Sequence, residues 1–198
     1  MEPLSTFEII TRILVQLSPV WVSLILLYAV SIAFKRRLGL YGKLFDSPIG
    51  MIGFGLVMFW VFTGVYGALD MIVTHDPLTQ LSGMKNKGPG TPLRGPEEGE
   101  YAWYLLGGDN LARDVFSRLI KGAWEVIKIA PLAAIFAFMV GITLGLPAGY
   151  YGGKLDITLS FLANLILAFP VILLFYLLVT PEIVATGVPN YMAVVLFV

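Results

Sequence analysis

The stretch VIKIAPLAAIFAFMVGITLGLPAG, residues 126–149, is followed by the polar break YYGGKLD at 150–156 and then by ITLSFLANLILAFPVILLFYLLV at 157–179. Each apolar run exceeds the roughly 20 residues that cross about 30 Å of hydrocarbon at about 1.5 Å per residue. A break this short makes the two runs neighbouring antiparallel helices. The expected fold is therefore an all-α membrane protein, a polytopic helical bundle. Composition agrees: of 198 residues, 58% are apolar and 13% charged, and the mean hydropathy is +0.84, whereas soluble domains are about one-quarter charged.

Several function classes fall away on the same grounds. Net charge is zero, and a chain without a basic face has no means of holding phosphates, so no nucleic-acid partner is expected. With no cysteine and a single histidine, His75, thiolate chemistry and His-rich metal sites are not expected. No Ser/His pair or His/Asp cluster falls within the apolar runs, so catalytic, cofactor-binding and metal residues are all set at none. His75 itself reads as a turn residue at a loop entrance.

Working outward from the helix pair, residues 1–48 form an N-terminal segment whose apolar run at 13–34 reads as an additional spanning helix. A membrane-surface helix is the alternative. Lys35, Arg36 and Arg37 follow that run rather than precede it, which disfavours a cleaved signal peptide. Pro19 is tolerable in a membrane helix as a kink. A second span covers 49–73, where Gly50, Gly53, Gly55, Gly64 and Gly67 leave grooves for close helix approach and Asp70 sits at the interface. Residues 74–124, rich in proline, glycine and charge, form a water-facing loop, with Tyr101, Trp103 and Tyr104 at its return to the membrane. Spans at 125–149 and 156–179 follow, and 190–198 begins a further apolar helix too short to cross. Basic residues crowd 35–48, and Lys154 marks the tight turn. The positive-inside rule places both on the cytoplasmic side and Met1 and the long loop outside.

Within the loop lies GGDNLARDVFSRLIKGA, residues 107–123. Asp109 is a good N-cap, and Leu111, Val115, Leu119 and Ile120 recur at helical spacing against Arg113, Asp114, Arg118 and Lys121. An amphipathic helix over 109–121 is expected, lying flat, with Gly122 permitting a bend into the next span.

The residue order also resembles a known signature. GGDNLARDVFSRLIKGA is similar to the Gly-Thr-Asp-x-x-Gly-Arg-Asp-x-x-Ser-Arg-x-x-x-Gly-Ala motif of C-type permease subunits in the dipeptide, oligopeptide and nickel group of ABC importers. Gly107, Asp109, Asn110, Arg113, Asp114, Ser117, Arg118 and Gly122 carry the match. HDPLTQ (75–80) resembles the family's His-Asp-Pro motif. GLPAGYYGGKLD (145–156) resembles its glycine turn through Gly149, Gly152, Gly153 and Asp156, and ILAFPVILL (166–174) resembles its proline helix through Pro170. Gly108 stands where the motif has Thr, and Ala112 where it has Gly. At a helix start both are tolerable, since Ala favours helix over Gly by up to about 1 kcal/mol. Phe161 and Asn164 replace an Arg and Asp found in many relatives, which leaves Asn164 as an interhelical hydrogen-bonder that, with Pro170, borders the translocation path.

The resemblance implies the N-terminal portion of a type I importer permease in the cytoplasmic (inner) membrane, carrying di- or oligopeptides or a related solute such as nickel. Its implied partners are a second permease subunit, separate ATP-binding subunits, an extracytoplasmic solute-binding protein and the lipid bilayer. No GxxxxGK[ST] sequence occurs, so ATP hydrolysis belongs to another subunit. The family's ATPase-docking loop is likewise not found in the 198 residues, so the alternative is a truncated, non-transporting fragment that acts in assembly or interaction.

Overall fold

A computed structural model describes residues 2–96, 99–168, 170 and 173. The expected run at 190–198 and most of 169–179 lie outside these. The chain divides into two compact units, Met1–Ile127 and Lys128–Val198.

The first unit opens with α1 (Thr6–Gln16), started by a reciprocal cap in which the Glu8 amide donates to Ser5 Oγ at 3.3 Å and the Ser5 amide donates to Glu8 Oε2 at 2.8 Å. α2 (Ser18–Ala33) follows after Leu17 at an angle of 58°. The single helix expected over 13–34 is thus broken. Pro19 lacks an amide hydrogen and its fixed φ suits a first helical turn, so it starts a new helix rather than kinking an old one.

A short basic connection, with α3 (Gly39–Lys43) between two 3-10 turns, leads to α4 (Pro48–Ala68). α2 and α4 run antiparallel: Trp21 stacks near Phe59 at 5.1 Å, Ser23 Oγ lies 2.6 Å from the Tyr66 hydroxyl, and the Tyr28 hydroxyl donates to the Met51 carbonyl. Tyr28, Tyr41, Phe45 and Phe54 meet edge to face at 5.3–6.0 Å around the connection. Lys35 closes it, pairing with Asp46 and donating to the Phe45 carbonyl at 3.2 Å.

Helix α4 ends at Ala68, short of the expected 73. Asp70 (φ +57°) takes the left-handed position that terminates it. The Asp70 amide reaches the Gly67 carbonyl at 3.2 Å and the Met71 amide the Tyr66 carbonyl at 3.1 Å, the paired bonds of a Schellman cap. Of the five groove glycines, Gly64 and Gly67 face α5: a Cβ at Gly67 would lie 2.5 Å from Ile120 Cγ2, and one at Gly64 would strike Ile127. Gly55 faces Tyr28, and Gly53 faces open space.

The long loop carries a two-residue antiparallel ladder, β1 (Thr91–Pro92) with β2 (Trp103–Tyr104). Leu17, Val20, Leu24, Ile72, Leu105, Phe116 and Ile120 form one buried core, and Met84, Leu93 and the ladder residue Tyr104 form a second. Helix α5 (Val115–Tyr151) is long and apolar enough to cross a membrane, as is α4, and α1 and α2 pass that test only when taken together. The separate amphipathic helix and span expected at 109–121 and 125–149 are one element, uninterrupted at Gly122.

In the second unit α5 ends where Gly152 and Gly153, with φ of +60° and +61°, reverse the chain into α6 (Gly153–Ala168). Both glycines are required there because other residues resist φ above zero. Among the described residues of this unit most apolar side chains are exposed, Phe138 and Leu146 among them.

Candidate functional site

The motif residues converge on a buried polar node at the start of α5. Asp114 and Ser117 are fully buried. Asp114 accepts from the Phe116 and Ser117 amides, each at 3.2 Å, and so caps the helix at its second and third positions. The cap expected at Asp109 therefore belongs to Asp114, and the helix begins at Val115. Burial ranks Phe116, Ser117, Ile120 and Ala123 as the inner face, rotated away from the expected Leu111, Val115 and Leu119.

Across from α5, the chain leaving α4 supplies the other half. Ser117 Oγ donates to Asp114 Oδ2 at 2.6 Å, and Thr74 Oγ1 donates to the same oxygen at 2.9 Å. Each hydroxyl has one proton, already directed at Asp114, so the 3.1 Å Thr74–Ser117 approach brings two acceptors together. Ser117 Oγ in turn accepts the Thr74 and His75 amides at 3.3 and 3.0 Å.

His75, expected as a turn residue, is buried at the centre of this network. Its Nε2 donates to the Tyr101 carbonyl at 2.7 Å and its Nδ1 lies 3.2 Å from Asp114 Oδ2. The Tyr104 ring packs edge-on against it at 4.9 Å. Tyr104 is thus a core residue rather than an interfacial one, and burial, with the Asp114 charge, pushes its hydroxyl up to about 12. Burial raises the Asp114 carboxyl, but the bonds from His75, Ser117 and Thr74 outweigh it and hold the group below its ordinary value. Among the described residues no buried side-chain polar atom lacks a partner.

Asp109 organises the preceding loop instead. It accepts the Leu111 amide at 2.8 Å and the Arg113 amide and Nε at 3.0 Å each, and it also pairs with Arg118. The Arg113 amide and side chain keep its carboxyl well below the usual range. Asn110 is exposed at the loop tip. Gly107 (φ +84°) and Gly108 press on the turn at 84–88, where a Cβ would strike the Lys87 and Met84 carbonyls. Ala112 has φ +60°. The helix-propensity argument for Ala at that position is therefore reversed, because the residue lies outside the helix in a conformation that favours glycine.

The remaining motif residues lie elsewhere. A Cβ at Gly122 or Gly149 would meet open space. Asp156 is in the first turn of α6, 3.4 Å from Ser160 Oγ. Asn164 is exposed on α6 with no side-chain hydrogen bond among the described residues, and Pro170 follows that helix. An open crevice of about 550 Å³ borders the node, lined by Asp70, Thr74, His75, Asp76 and Lys121, and Asp70 pairs with Lys121 across it at 2.5 Å.

The chain is similar to permease subunits of bacterial peptide transport systems. The dipeptide transport system permease protein DppC of Alkalihalophilus pseudofirmus is 36% identical over 104 residues, covering 52% of this chain and 33% of that protein. The glutathione transport system permease protein GsiD of Pectobacterium atrosepticum is 36% identical over 98 residues, covering 50% and 32%. DppC of Bacillus subtilis is 26% identical over 136 residues, covering 69% and 38%. The chain thus spans about a third of the length of these curated relatives. No family model matches it, and no solved structure does.

Proposed function

We propose that this chain is a membrane-spanning permease component of an ATP-driven importer for di- or oligopeptides. It works with a second permease subunit, separate ATP-binding subunits and an extracytoplasmic solute-binding protein. The observation that carries the proposal is the coincidence of two things: 36% identity to DppC over half the chain, and the assembly of motif residues Asp114 and Ser117 with His75 into one fully satisfied node. Peptide is favoured over nickel because the relatives are named for dipeptides and glutathione.

On this proposal the node is mechanical. It ties the end of α4 to the start of α5, so the outer ends of these helices move as one body when the permease alternates between outward- and inward-facing states. Gly64 and Gly67 support the same role by bringing the helix backbones together. The basic connection at 35–47 faces the cytoplasm and the 74–114 loop faces outward. Asn164 and Pro170 border the path, and Gly149, Gly152, Gly153 and Asp156 shape the inner turn.

The test is to co-express the chain with the ATP-binding subunits, partner permease and binding protein from the same genome, then measure ATP hydrolysis in proteoliposomes. Several-fold stimulation by dipeptide-loaded binding protein, with nickel chelates inactive, is expected. A complex that assembles without peptide stimulation would overturn the proposal.

A further inference from the structure

The α1 helix presents three distinct faces. Ile9 and Ile13 turn toward the protein and are half-buried, whereas Glu8, Thr11 and Arg12 occupy a more polar side that also carries the exposed Val15. Between them Phe7, Ile10 and Leu14, spaced by three and four residues, form a stripe that is 78%, 53% and 49% exposed. Nothing in the protein covers this stripe among the described residues.

Helix α1 is also fixed in place. The Leu4 amide donates to the Gly90 carbonyl at 3.0 Å, and a Cβ at Gly90 would lie 2.8 Å from Ile9. The Arg12 guanidinium sits 4.3 Å over the Trp103 ring. These contacts hold α1 against the water-facing loop, at the end of α2 where that helix begins. Eleven residues extend only about 16 Å, about half the hydrocarbon thickness, and the 58° turn at Leu17 carries α1 away from the axis of α2.

We infer that α1 is an interfacial anchor: its Phe7–Ile10–Leu14 stripe lies in the headgroup–acyl boundary of the bilayer and fastens the 74–114 loop to the membrane surface. The occupant is lipid rather than a partner protein. The stripe lies at the level where a membrane helix meets a water-facing loop, and the side next to it carries the polar groups Glu8, Thr11 and Arg12 that such a boundary demands. Trp103, clamped by Arg12, joins this anchor to the β1–β2 ladder. The inference needs only the membrane location and not the importer proposal.

The absence of cysteine makes the test direct. Full-length chains carrying Phe7→Cys, Ile10→Cys, Leu14→Cys, Glu8→Cys or Thr11→Cys are labelled with an environment-sensitive fluorophore. They are then reconstituted into vesicles of phosphatidylethanolamine and phosphatidylglycerol. Labels at 7, 10 and 14 should be quenched by lipids spin-labelled near the headgroup, and labels at 8 and 11 by aqueous iodide. Equal iodide quenching at all five positions overturns the anchor, since α1 would then lie in water. Stronger quenching of 7, 10 and 14 by lipids labelled at the acyl terminus also overturns it, placing α1 in the bilayer core. Protection of those three from every quencher would show a protein cover instead of lipid.

Discussion

Several glycines of the first unit serve close packing, and those along α5 in the second do not. In Met1–Ile127, Gly64, Gly67, Gly107 and Gly108 each abut another segment so closely that an added Cβ would collide with it. In Lys128–Val198, Gly141, Gly145 and Gly149 stand four residues apart with open space around each. The polar groups divide likewise. The first unit buries Asp114, Ser117, Thr63 and His75, while among the described residues of the second only Ala133 and Ala148 are buried. Small residues make close approach possible, and only a packed neighbour turns that possibility into stability.

The contrast is most sharply broken at Asp114. Asp114→Ala removes the helix cap and leaves the Thr74 and Ser117 hydroxyl donors without their acceptor, a loss of about 3–5 kcal/mol by analogy with other severed buried pairs. Thermal unfolding of the purified protein in detergent should show it, together with faster proteolysis of the 74–114 loop. A midpoint within a degree of the parent would make the node dispensable.

Next in size is a paired glycine experiment. Gly67→Ala should cost about 1–3 kcal/mol through overpacking against Ile120, whereas Gly145→Ala should stabilise α5 by about 0.5–1 kcal/mol through backbone entropy alone. Equal effects from the two substitutions would erase the distinction between the units.

Acid should act on the buried node of the first unit. The Asp114 carboxyl is lowered on folding from an ordinary value of 3.8, so its contribution is complete above that pH and is lost as pH falls through the lower folded value. Loop proteolysis should therefore accelerate below about pH 4 in the parent and lose that component in Asp114→Asn. The smallest change concerns Ala112: Ala112→Gly should raise stability by about 0.5–1 kcal/mol by relieving its left-handed backbone, net of the extra freedom glycine gains when unfolded.

The sequence made the membrane class legible because hydropathy accumulates over whole segments, and α4 and α5 coincide with two of the apolar runs. Boundaries depend on single competing groups. Asp109 and Asp114 are both capping residues followed by helix-compatible sequence, and the decision rests on which carboxylate finds Thr74 and His75, about forty positions away. No periodicity encodes that meeting. Two local signals were readable nonetheless: Ser5-x-x-Glu8 marks the start of α1, and Asp114-x-x-Ser117 marks that of α5. Pro19, read as a kink, fits equally well as a first-turn residue, and only the 58° break decides between them.

Ser117 Oγ receives the amides of Thr74 and His75 while Asp114 receives those of Phe116 and Ser117. Since the two side chains are bonded to each other, none of these four amides can open to solvent without disturbing the rest. The first turn of α5 and the segment after α4 should therefore exchange their hydrogens at one shared rate, as a single foldon drawn from stretches of chain about forty residues apart.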